Sequence, residues 1–407
     1  MDILLRKVRI QDDAPLQDVA LQGGKIAAVA PELQVDAVRV IDAGGRVLIP
    51  GVIESHLHLD KALIADRKLN RSGTLQEAIA VTAALKPTFT KEDVLERAEK
   101  TLRVAIQNGV THMRTHSEFD PAGGFTGYEV ILGLKEKYKD VIDLQVVAFP
   151  QEGIMKAPGT EAMMHEAVQM GADVVGGIPY NDLSAHEHID LVFDIAKKYQ
   201  KSLDFHQDFS DDIAGTSIEY LCRKTIAEGY QGRVCVGHLT SLGAFAPDKL
   251  QPILELMAEA RISVMCLPAT DLHLGGRKDT YNVRRTLTPV RALKKAGVNV
   301  CLGSNNIRNA FTPYGNGDLF QIAMLAVPTA HLGGADDLPD VLPMITTNTA
   351  KALELKHYGL ERDCNADMVL LDTYKVRDAI IDLPDKLFVI KKGKIVAETT
   401  RTIKLNF

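Results

Sequence analysis

The sequence predicts an α/β fold, a (β/α)8 TIM-like barrel that carries a small β-sandwich subdomain built from both chain termini. Two observations support this prediction. Across the centre of the 407 residues, short apolar segments alternate with segments of helical periodicity, which is the pattern of parallel βαβ units. At both ends, short strand-like segments are separated by glycine turns instead. Eight strand–helix units over roughly 260–300 residues match the size of a closed barrel.

The terminal segments are predicted to form one composite β subdomain. Strands are expected at 3–8, 16–21, 24–29 and 38–48 near the N-terminus, and at 367–372 and 387–396 near the C-terminus. Gly23-Gly24 and the segment 42–45 mark turns, and Lys392-Gly393-Lys394 predicts a tight turn within the last strand-like segment. We therefore expect residues 1–49 and 348–407 to form the subdomain and residues 50–347 to form the barrel.

The central segments are expected to supply the barrel. Eight apolar runs occur at 48–53, 111–115, 144–149, 174–178, 202–205, 233–236, 263–267 and 299–302. Helical periodicity is clearest at 91–108, 127–138, 160–170 and 189–199. The runs are almost continuously apolar, which is typical of parallel strands buried on both faces.

Composition excludes several classes of function. Lys and Arg total 47 against 53 Asp and Glu, and no basic patch indicates a nucleic acid or a membrane surface as partner. Trp is absent, so no aromatic platform for single-stranded nucleic acid is evident. No apolar segment reaches the ~20 residues of a spanning helix, and the N-terminus becomes polar too early for a signal peptide. The five cysteines are scattered, as in a reducing compartment. We expect a cytoplasmic homo-oligomer with a small-molecule substrate.

Polar residues follow the predicted strands, where a barrel of this kind builds its active site. In chain order the strand ends read ESHLHLDK, RTHSEFD, AFPQEG, GGIPYND, DFHQDFSDD, VGHLTS, CLPATDLH and LGSNN. Of the 12 histidines, five lie at such ends: His56, His58, His116, His206 and His238. Their placement predicts a catalytic centre at the carboxyl ends of the strands.

These histidines point to a metal. His56 and His58 are two residues apart on one strand and so face the same side. His206 and His238 end the fifth and sixth strands, and three protein ligands are enough for a catalytic metal. Neutral imidazole suits Zn²⁺ and also Fe²⁺, so we predict one divalent ion, zinc or iron. The second His-x-His, at 186–188, opens a helix and is expected to be structural.

Several longer motifs make the sequence resemble the amidohydrolase superfamily, in the branch of cytosine deaminase and N-isopropylammelide isopropylaminohydrolase. They are GGKIAAVAP, VIDAGGRVLIPGVIESHLHLDK, VVAFPQEGI, DFHQD, VGHLT, HLGGRKDTYNVRR, NTAKAL and YGLERDCNADMVLLD, which together span nearly the whole chain. The resemblance implies that His56, His58 and His206 bind the metal. It also implies that His238 polarises the reacting group and that Gln151 hydrogen-bonds a planar heterocycle.

Two positions depart from the pattern of that family. Asn305 stands where the family usually has an Asp that accepts a proton, and an amide cannot do this. Phe209 stands where cytosine deaminase has a Glu, so we do not expect cytosine itself to be the substrate. Asp208 follows His206 by two residues and is the first candidate for a replacement base. Asp211 and Asp212, in the following loop, are further candidates. The alternative is that such an Asp caps a helix.

Further polar residues should line the mouth of the barrel. Lys61 is a candidate to bind a carbonyl oxygen or an anion, although an ion pair with the adjacent Asp60 is slightly preferred. His116 is expected to hydrogen-bond near the substrate rather than to bind the metal.

Three functions are compatible with this site. The first is a metal-dependent aminohydrolase that cleaves a C–N bond of a small N-heterocycle, with His238 or Asp208 as base. The second is a hydrolase of a cyclic or linear amide, carbamate or thiocarbamate. The third is a catalytically impaired member that binds a ligand without turnover because Asn305 has replaced the usual base. Metal content distinguishes the third from the others, and ammonia release distinguishes the first from the second.

Overall fold

The fold was analysed in a computed structural model, which describes residues 1–406. Sixteen strands occur in this part of the chain: β1 (Ile3–Val8), β2 (Gln17–Gln22), β3 (Lys25–Ala30), β4 (Arg39–Asp42), β5 (Val47–Pro50), β6 (Val52–Leu57), β7 (Val110–Glu118), β8 (Asp143–Phe149), β9 (Val174–Gly177), β10 (Ser202–Gln207), β11 (Val234–His238), β12 (Ser263–Cys266), β13 (Asn299–Leu302), β14 (Met368–Leu371), β15 (Lys386–Lys391) and β16 (Lys394–Glu398).

Twelve α-helices accompany these strands within the same residues. They are α1 (Leu75–Leu85), α2 (Lys91–Gln107), α3 (Thr126–Tyr138), α4 (Thr160–Met170), α5 (Ala185–Tyr199), α6 (Ile218–Ala227), α7 (Pro247–Glu259), α8 (Pro268–Leu274), α9 (Val290–Lys295), α10 (Leu319–Thr329), α11 (Thr347–Ala352) and α12 (Asp378–Ile381). Over the described part of the chain, none of them combines the length and the apolar character needed to cross a lipid bilayer.

The strands β6 to β13 pair in chain order and in parallel, which forms the eight-stranded sheet of the barrel. The sheet is closed through main-chain contacts between its two edge strands. Asn305 N donates to His56 O at 2.7 Å, and His58 N donates to Asn305 O at 3.0 Å. The predicted fold class is confirmed, and the seam of the barrel passes through the residues predicted to form the site.

The segment 38–48 was predicted to be a strand with a turn at 42–45; the turn is present, but it divides the segment, so a single strand over 38–48 is wrong. It contains β4 and the start of β5, separated by a turn in which Gly44 and Gly45 have φ of 59° and 90°. Asp42 Oδ1 accepts a hydrogen bond from Gly44 N at 2.9 Å and stabilises that turn. A Cβ on Gly51 would lie 2.2 Å from Thr111 Oγ1, so only glycine fits where the chain enters the barrel. The first barrel strand therefore begins at Val52 and not at Leu48.

Two further sheets are formed by the chain ends. Their strand orders are β3-β2-β1-β4 and β16-β15-β14-β5, so the second sheet combines strands from both termini. Buried Lys391 joins this sheet to the barrel, because its Nζ donates to Asp367 at 2.8 Å and to Asp143 at 2.7 Å. Such pairing compensates the burial of the ammonium group. The domain boundaries expected near residues 50 and 347 stay a prediction.

Candidate active site

Five buried histidines meet at the carboxyl ends of the barrel strands. His56 and His58 come from β6, His116 from β7, His206 from β10 and His238 from β11. His206 Nε2 lies 3.1 Å from His56 Nε2 and 3.0 Å from His58 Nε2. The three predicted metal ligands are thus close together, and in each of them the nitrogen involved is Nε2.

These three rings are held in the neutral form. The pKa values of His56, His58 and His206 lie well below the usual range, because burial disfavours the charged imidazolium and neighbouring positive groups add to this effect. Neutral imidazole has the lone pair that a cation requires.

The donor set fits a divalent ion. Nitrogens that hold an ion at about 2.0–2.1 Å in tetrahedral geometry are about 3.3 Å apart, close to the separations from His206. Asn305 Oδ1 is buried without a protein hydrogen-bond partner, so it is a free acceptor beside the histidines. Ring nitrogens of His56, His206 and His238 also lie within 4.8 Å of one another, as do those of His56, His58 and His116. The residues present are therefore suitable for a metal, although more than one histidine set could hold it.

A cavity lies over these histidines. Its walls combine aromatic, aliphatic and amide side chains, contributed by His58, Lys61, Leu75, Gln151, Tyr180, His206, Phe209, His238, Thr270, Leu274, Asn305, Asn306 and Phe311. Polar groups that converge on a cavity with aromatic walls are typical of small-molecule sites.

His116 is not among the residues that line this cavity, so its expected role near the substrate stays a prediction. Its ring lies beside that of His56, with the centroids 3.9 Å apart. His116 Nε2 is 3.2 Å from Asp204 Oδ1, while Asp204 Oδ2 accepts a hydrogen bond from Arg114 at 2.8 Å. All of these side chains are buried in the barrel interior. His116 therefore packs against His56 and also against His206, whose ring centroid is 4.8 Å away and which lines the cavity.

His238 is paired with a carboxylate that the sequence analysis did not single out. His238 Nδ1 lies 2.6 Å from Asp271 Oδ1, and Asp271 is fully buried in α8. Burial raises the pKa of Asp271, and the contact with His238 opposes this rise. His238 Nε2 is 3.5 Å from Asn305 Nδ2 at the cavity wall. The polar ending CLPATDLH on the seventh strand was the available signal, but the sequence does not show which histidine the Asp faces.

Asp208 has a different role from the predicted base. Its carboxylate accepts hydrogen bonds from Ser217 N at 3.0 Å and from Ile218 N at 3.0 Å, where α6 begins. Ser217 Oγ and Gln207 Nε2 donate to the same carboxylate at 3.1 and 2.8 Å. Within residues 1–406, no hydrogen bond joins Asp208 to a histidine of the cluster. Asp208 is thus a helix cap, because the free N–H groups at the start of α6 occupy its oxygens.

The expected side-chain pair between Lys61 and Asp60 is also wrong. Lys61 Nζ donates to Glu118 Oε1 and, at 3.0 Å, to Gln151 Oε1. The Asp60 carboxylate instead accepts main-chain hydrogen bonds from Glu118 N at 2.7 Å and from Lys61 N at 2.9 Å. Glu118, in the strand end RTHSEFD, was not singled out from the sequence. Its Oε1 also lies 3.8 Å from His58 Nδ1, so it connects Lys61 to the histidine cluster.

In the second His-x-His, the buried residue His188 has a structural role. His188 Nδ1 lies 2.6 Å from Asp182 Oδ2, and His188 Nε2 accepts a hydrogen bond from Ile178 N at 2.8 Å. His186 is exposed and stacks on Tyr220, with the centroids 4.0 Å apart.

A (β/α)8 barrel with neutral histidines converging at its carboxyl ends defines the class of metal-dependent hydrolases. Within this class, the chain belongs to the amidohydrolase family, whose sequence model matches residues 64–397. The predicted resemblance is thereby confirmed, and with it the assignment as a hydrolase of C–N bonds other than peptide bonds.

The chain is similar over nearly its full length to proteins of known activity. N-isopropylammelide isopropyl amidohydrolase of Pseudomonas sp. (strain ADP) is 29% identical over 406 residues, which cover 98% of this chain and 97% of that protein. The solved structure of 5-methylcytosine deaminase from Klebsiella pneumoniae with 5-fluorocytosine has a TM-score of 0.94 and 32% identity, and 99% of each chain is covered. N-isopropylammelide isopropylaminohydrolase from Burkholderia multivorans has a TM-score of 0.86 and 28% identity, with 98% and 99% covered.

Proposed function

We propose that this protein is an aminohydrolase that removes an amino substituent from a small planar N-heterocycle other than cytosine. The observation that carries the proposal is the convergence of His56, His58 and His206 beneath a cavity lined by Gln151 and aromatic side chains. The names of the similar proteins support this substrate class, since they act on amino-substituted rings. Phe209 lies in the cavity wall. It stands where cytosine deaminase has a Glu, which argues against cytosine as the substrate.

The metal is assigned to His56, His58 and His206, and we infer one divalent ion, zinc or iron. Such an ion, when bound, acts as a Lewis acid that activates water and polarises the attacked carbon. Asn305 Oδ1, which has no protein partner, is the acceptor available beside these ligands. Asn305 cannot take a proton from water, because an amide has no basic atom at working pH.

Proton transfer is assigned to His238 with Asp271 as its partner. Because Asp271 accepts the hydrogen bond from Nδ1, the neutral ring keeps its lone pair on Nε2, at the cavity wall. Nε2 can then take a proton from the attacking water and deliver it to the leaving nitrogen. Asp271 stabilises the imidazolium between these two steps. This arrangement replaces both the family's strand-eight Asp and the proposed role of Asp208.

Gln151 and the aromatic walls would position the ring. Gln151 supplies an amide at the wall, and Phe209 packs near His238, with the ring centroids 4.9 Å apart. An apolar Phe at this position excludes water from the proton-transferring histidine. Exclusion of water strengthens the hydrogen bonds that act on the ring.

A second function is favoured by the same Phe209. With no carboxyl group there to protonate a ring nitrogen, the site would also suit a cyclic amide or carbamate, whose cleavage needs a proton only at the leaving nitrogen. The products distinguish the two functions, since only removal of an amino substituent yields ammonia or an amine with the ring intact.

The proposal is tested with purified protein by measuring its metal content and its release of ammonia from a panel of amino-triazines, aminopyrimidines and pterins. His206→Ala is expected to lose most of the metal and the activity, because two protein ligands remain where three are usual. His186→Ala is the matched control, since His186 is exposed on α5, and it should keep both. Full metal content in His206→Ala contradicts the ligand assignment. Ring-opened products without ammonia favour the second function.

A further inference from the structure

A lysine fixes the orientation of the Gln151 side chain by a hydrogen bond to its amide. Gln151 follows β8, lines the cavity and is only 4% exposed. Lys61 Nζ donates to Gln151 Oε1 at 3.0 Å and to Glu118 Oε1. The main chain of Gln151 is held as well, since its carbonyl accepts a hydrogen bond from Asn181 Nδ2 at 2.7 Å. Both the backbone and the side chain of this residue are therefore anchored.

The chemistry of the ammonium group decides which amide atom faces the cavity. A lysine side chain has three donors and no acceptor, so only the oxygen of the Gln151 amide can face it. An amide turned the other way would place donor against donor in a buried site, where an unpaired polar group is costly. Nε2 is thus directed away from Lys61, and it meets no protein acceptor among residues 1–406. Gln151 presents a donor to whatever occupies the cavity.

Lys61 itself is not a free cation for an anionic substrate. Its charge is compensated by Glu118, and both side chains are about 2% exposed. Its Nζ also lies 4.4 Å from the centroid of the Phe311 ring, a favourable cation–π distance. The ammonium group is therefore engaged on several sides, so it acts on a ligand through Gln151.

We propose that Lys61 is a positioning residue that locks the Gln151 amide as a donor, so that the site selects rings with a carbonyl oxygen at this position. Rings with an amino group there are rejected. This inference rests on the proposed function and narrows its substrate class to amino-substituted rings that also carry an oxo group. A site that donates to a carbonyl rejects the amino analogue because two donors then face each other without a partner.

The first test reverses the hydrogen-bonding character of position 151. Gln151→Glu keeps an oxygen for Lys61 but presents a second oxygen, an acceptor, to the cavity. Binding is measured by calorimetry in alkaline buffer with cytosine and 2,4-diaminopyrimidine as probes, which differ in carrying an oxo or an amino group at position 2. The wild type is expected to bind cytosine at least about tenfold tighter, and Gln151→Glu is expected to reverse this preference. Lys61→Met frees the amide to turn and should bring the ratio of the two affinities towards one.

The second test needs no ligand. Thermal unfolding of Lys61→Met, Gln151→Glu and the double variant forms a double-mutant cycle. Gln151→Glu should be tolerated beside Lys61, and it should lower Tm much more in the Lys61→Met background, where Glu118 and the new carboxylate lack their cation. Gln169→Glu, at an exposed position of α4, is the matched control, and its effect on Tm should be additive with that of Lys61→Met.

The outcomes separate this inference from the proposed function. An unchanged cytosine preference in Gln151→Glu, or additive Tm shifts, overturns the locked amide. If Lys61→Met does not fold, the preference of Gln151→Glu between the two probes still decides whether the amide is locked. If the wild type binds neither probe, the selection for an oxo group is overturned, and the double-mutant cycle alone supports or overturns the orientation of Gln151. The proposed function is then still tested by ammonia release from its own panel of rings.

Discussion

Replacing Asp271 by Asn removes the carboxylate that lies 2.6 Å from His238 Nδ1 while keeping the size of the side chain. The Asn amide can donate to Nδ1, which moves the imidazole proton to Nε2. His238 would then face the cavity with an N–H group and could not accept a proton from water. The ring stays in place, but its tautomer is wrong for the proposed chemistry.

The expected magnitude follows from the role of His238. Assistance by a general base is typically worth ~10²–10⁴-fold in rate, and a wrong tautomer removes most of it. Because Asp271 is fully buried, no bulk water replaces the lost hydrogen bond. We expect kcat to fall by about 10²–10⁴-fold. KM and metal content should change little, since Asp271 belongs neither to the cavity wall nor to the assigned ligands.

The assay is steady-state ammonia release on the best substrate of the panel, with metal content measured on the same samples. Asp182→Asn is the matched control, because Asp182 Oδ2 lies at the same 2.6 Å from His188 Nδ1, in a buried pair away from the cavity. It should lower Tm while leaving kcat per bound metal unchanged. An Asp271→Asn variant with full metal content and wild-type kcat refutes the assignment of His238 as the proton carrier.

Three further results are expected. Asp208→Ala should cost about 1–2 kcal/mol of stability through loss of the cap on α6, with little change in kcat per bound metal; a large loss of kcat would restore Asp208 as a base. Hydrogen bonds from His188 and main-chain N–H groups hold the pKa of Asp182 well below its usual range against the opposing effect of burial. The stability that Asp182 contributes is therefore present at neutral pH and lost as the pH falls through the acid range, so the Tm difference between wild type and Asp182→Asn should shrink in acid. Asn305→Asp should increase metal affinity in a competition assay with a chelator, because a carboxylate replaces a neutral amide; unchanged affinity would show that residue 305 does not reach the ion.

The sequence was sufficient for the barrel, and for bringing together the three histidines predicted as ligands, because both depend on local periodicity. A period of two placed His56 and His58 on one face, and the carboxyl end of each parallel strand lies at the same mouth. The boundary between sheet and barrel at Gly51 was not predictable, since it depends on the contact with Thr111, which lies sixty residues further along the chain.

The errors at the site have a common physical origin. Asp208 was expected near the metal from its spacing to His206. Its carboxylate instead accepts hydrogen bonds from the N–H groups at the start of α6, at Ser217 and Ile218. Lys61 was expected to pair with its neighbour Asp60, yet the main-chain N–H groups occupy Asp60 and leave Glu118 for the lysine. In each case the partner is set by the loop path, which hydrophobic patterning does not encode.

The distribution of charge around the histidines explains why Asp271 is suited to assist proton transfer. Within residues 1–406, three carboxylates pair with the rings of the five clustered histidines: Asp204 beside His116, Glu118 beside His58 and Asp271 beside His238. Asp204 also holds Arg114, and Glu118 also holds Lys61, so a permanent cation already balances each of them. Among residues 1–406, Asp271 has no such cation as a partner, and its side chain is paired with His238. When a proton arrives at Nε2, the resulting imidazolium meets an uncompensated carboxylate in a buried site, where opposite charges attract strongly. In the proposed mechanism, His238 with Asp271 thus supplies the proton transfer for which Asn305 and Phe209 are unsuited.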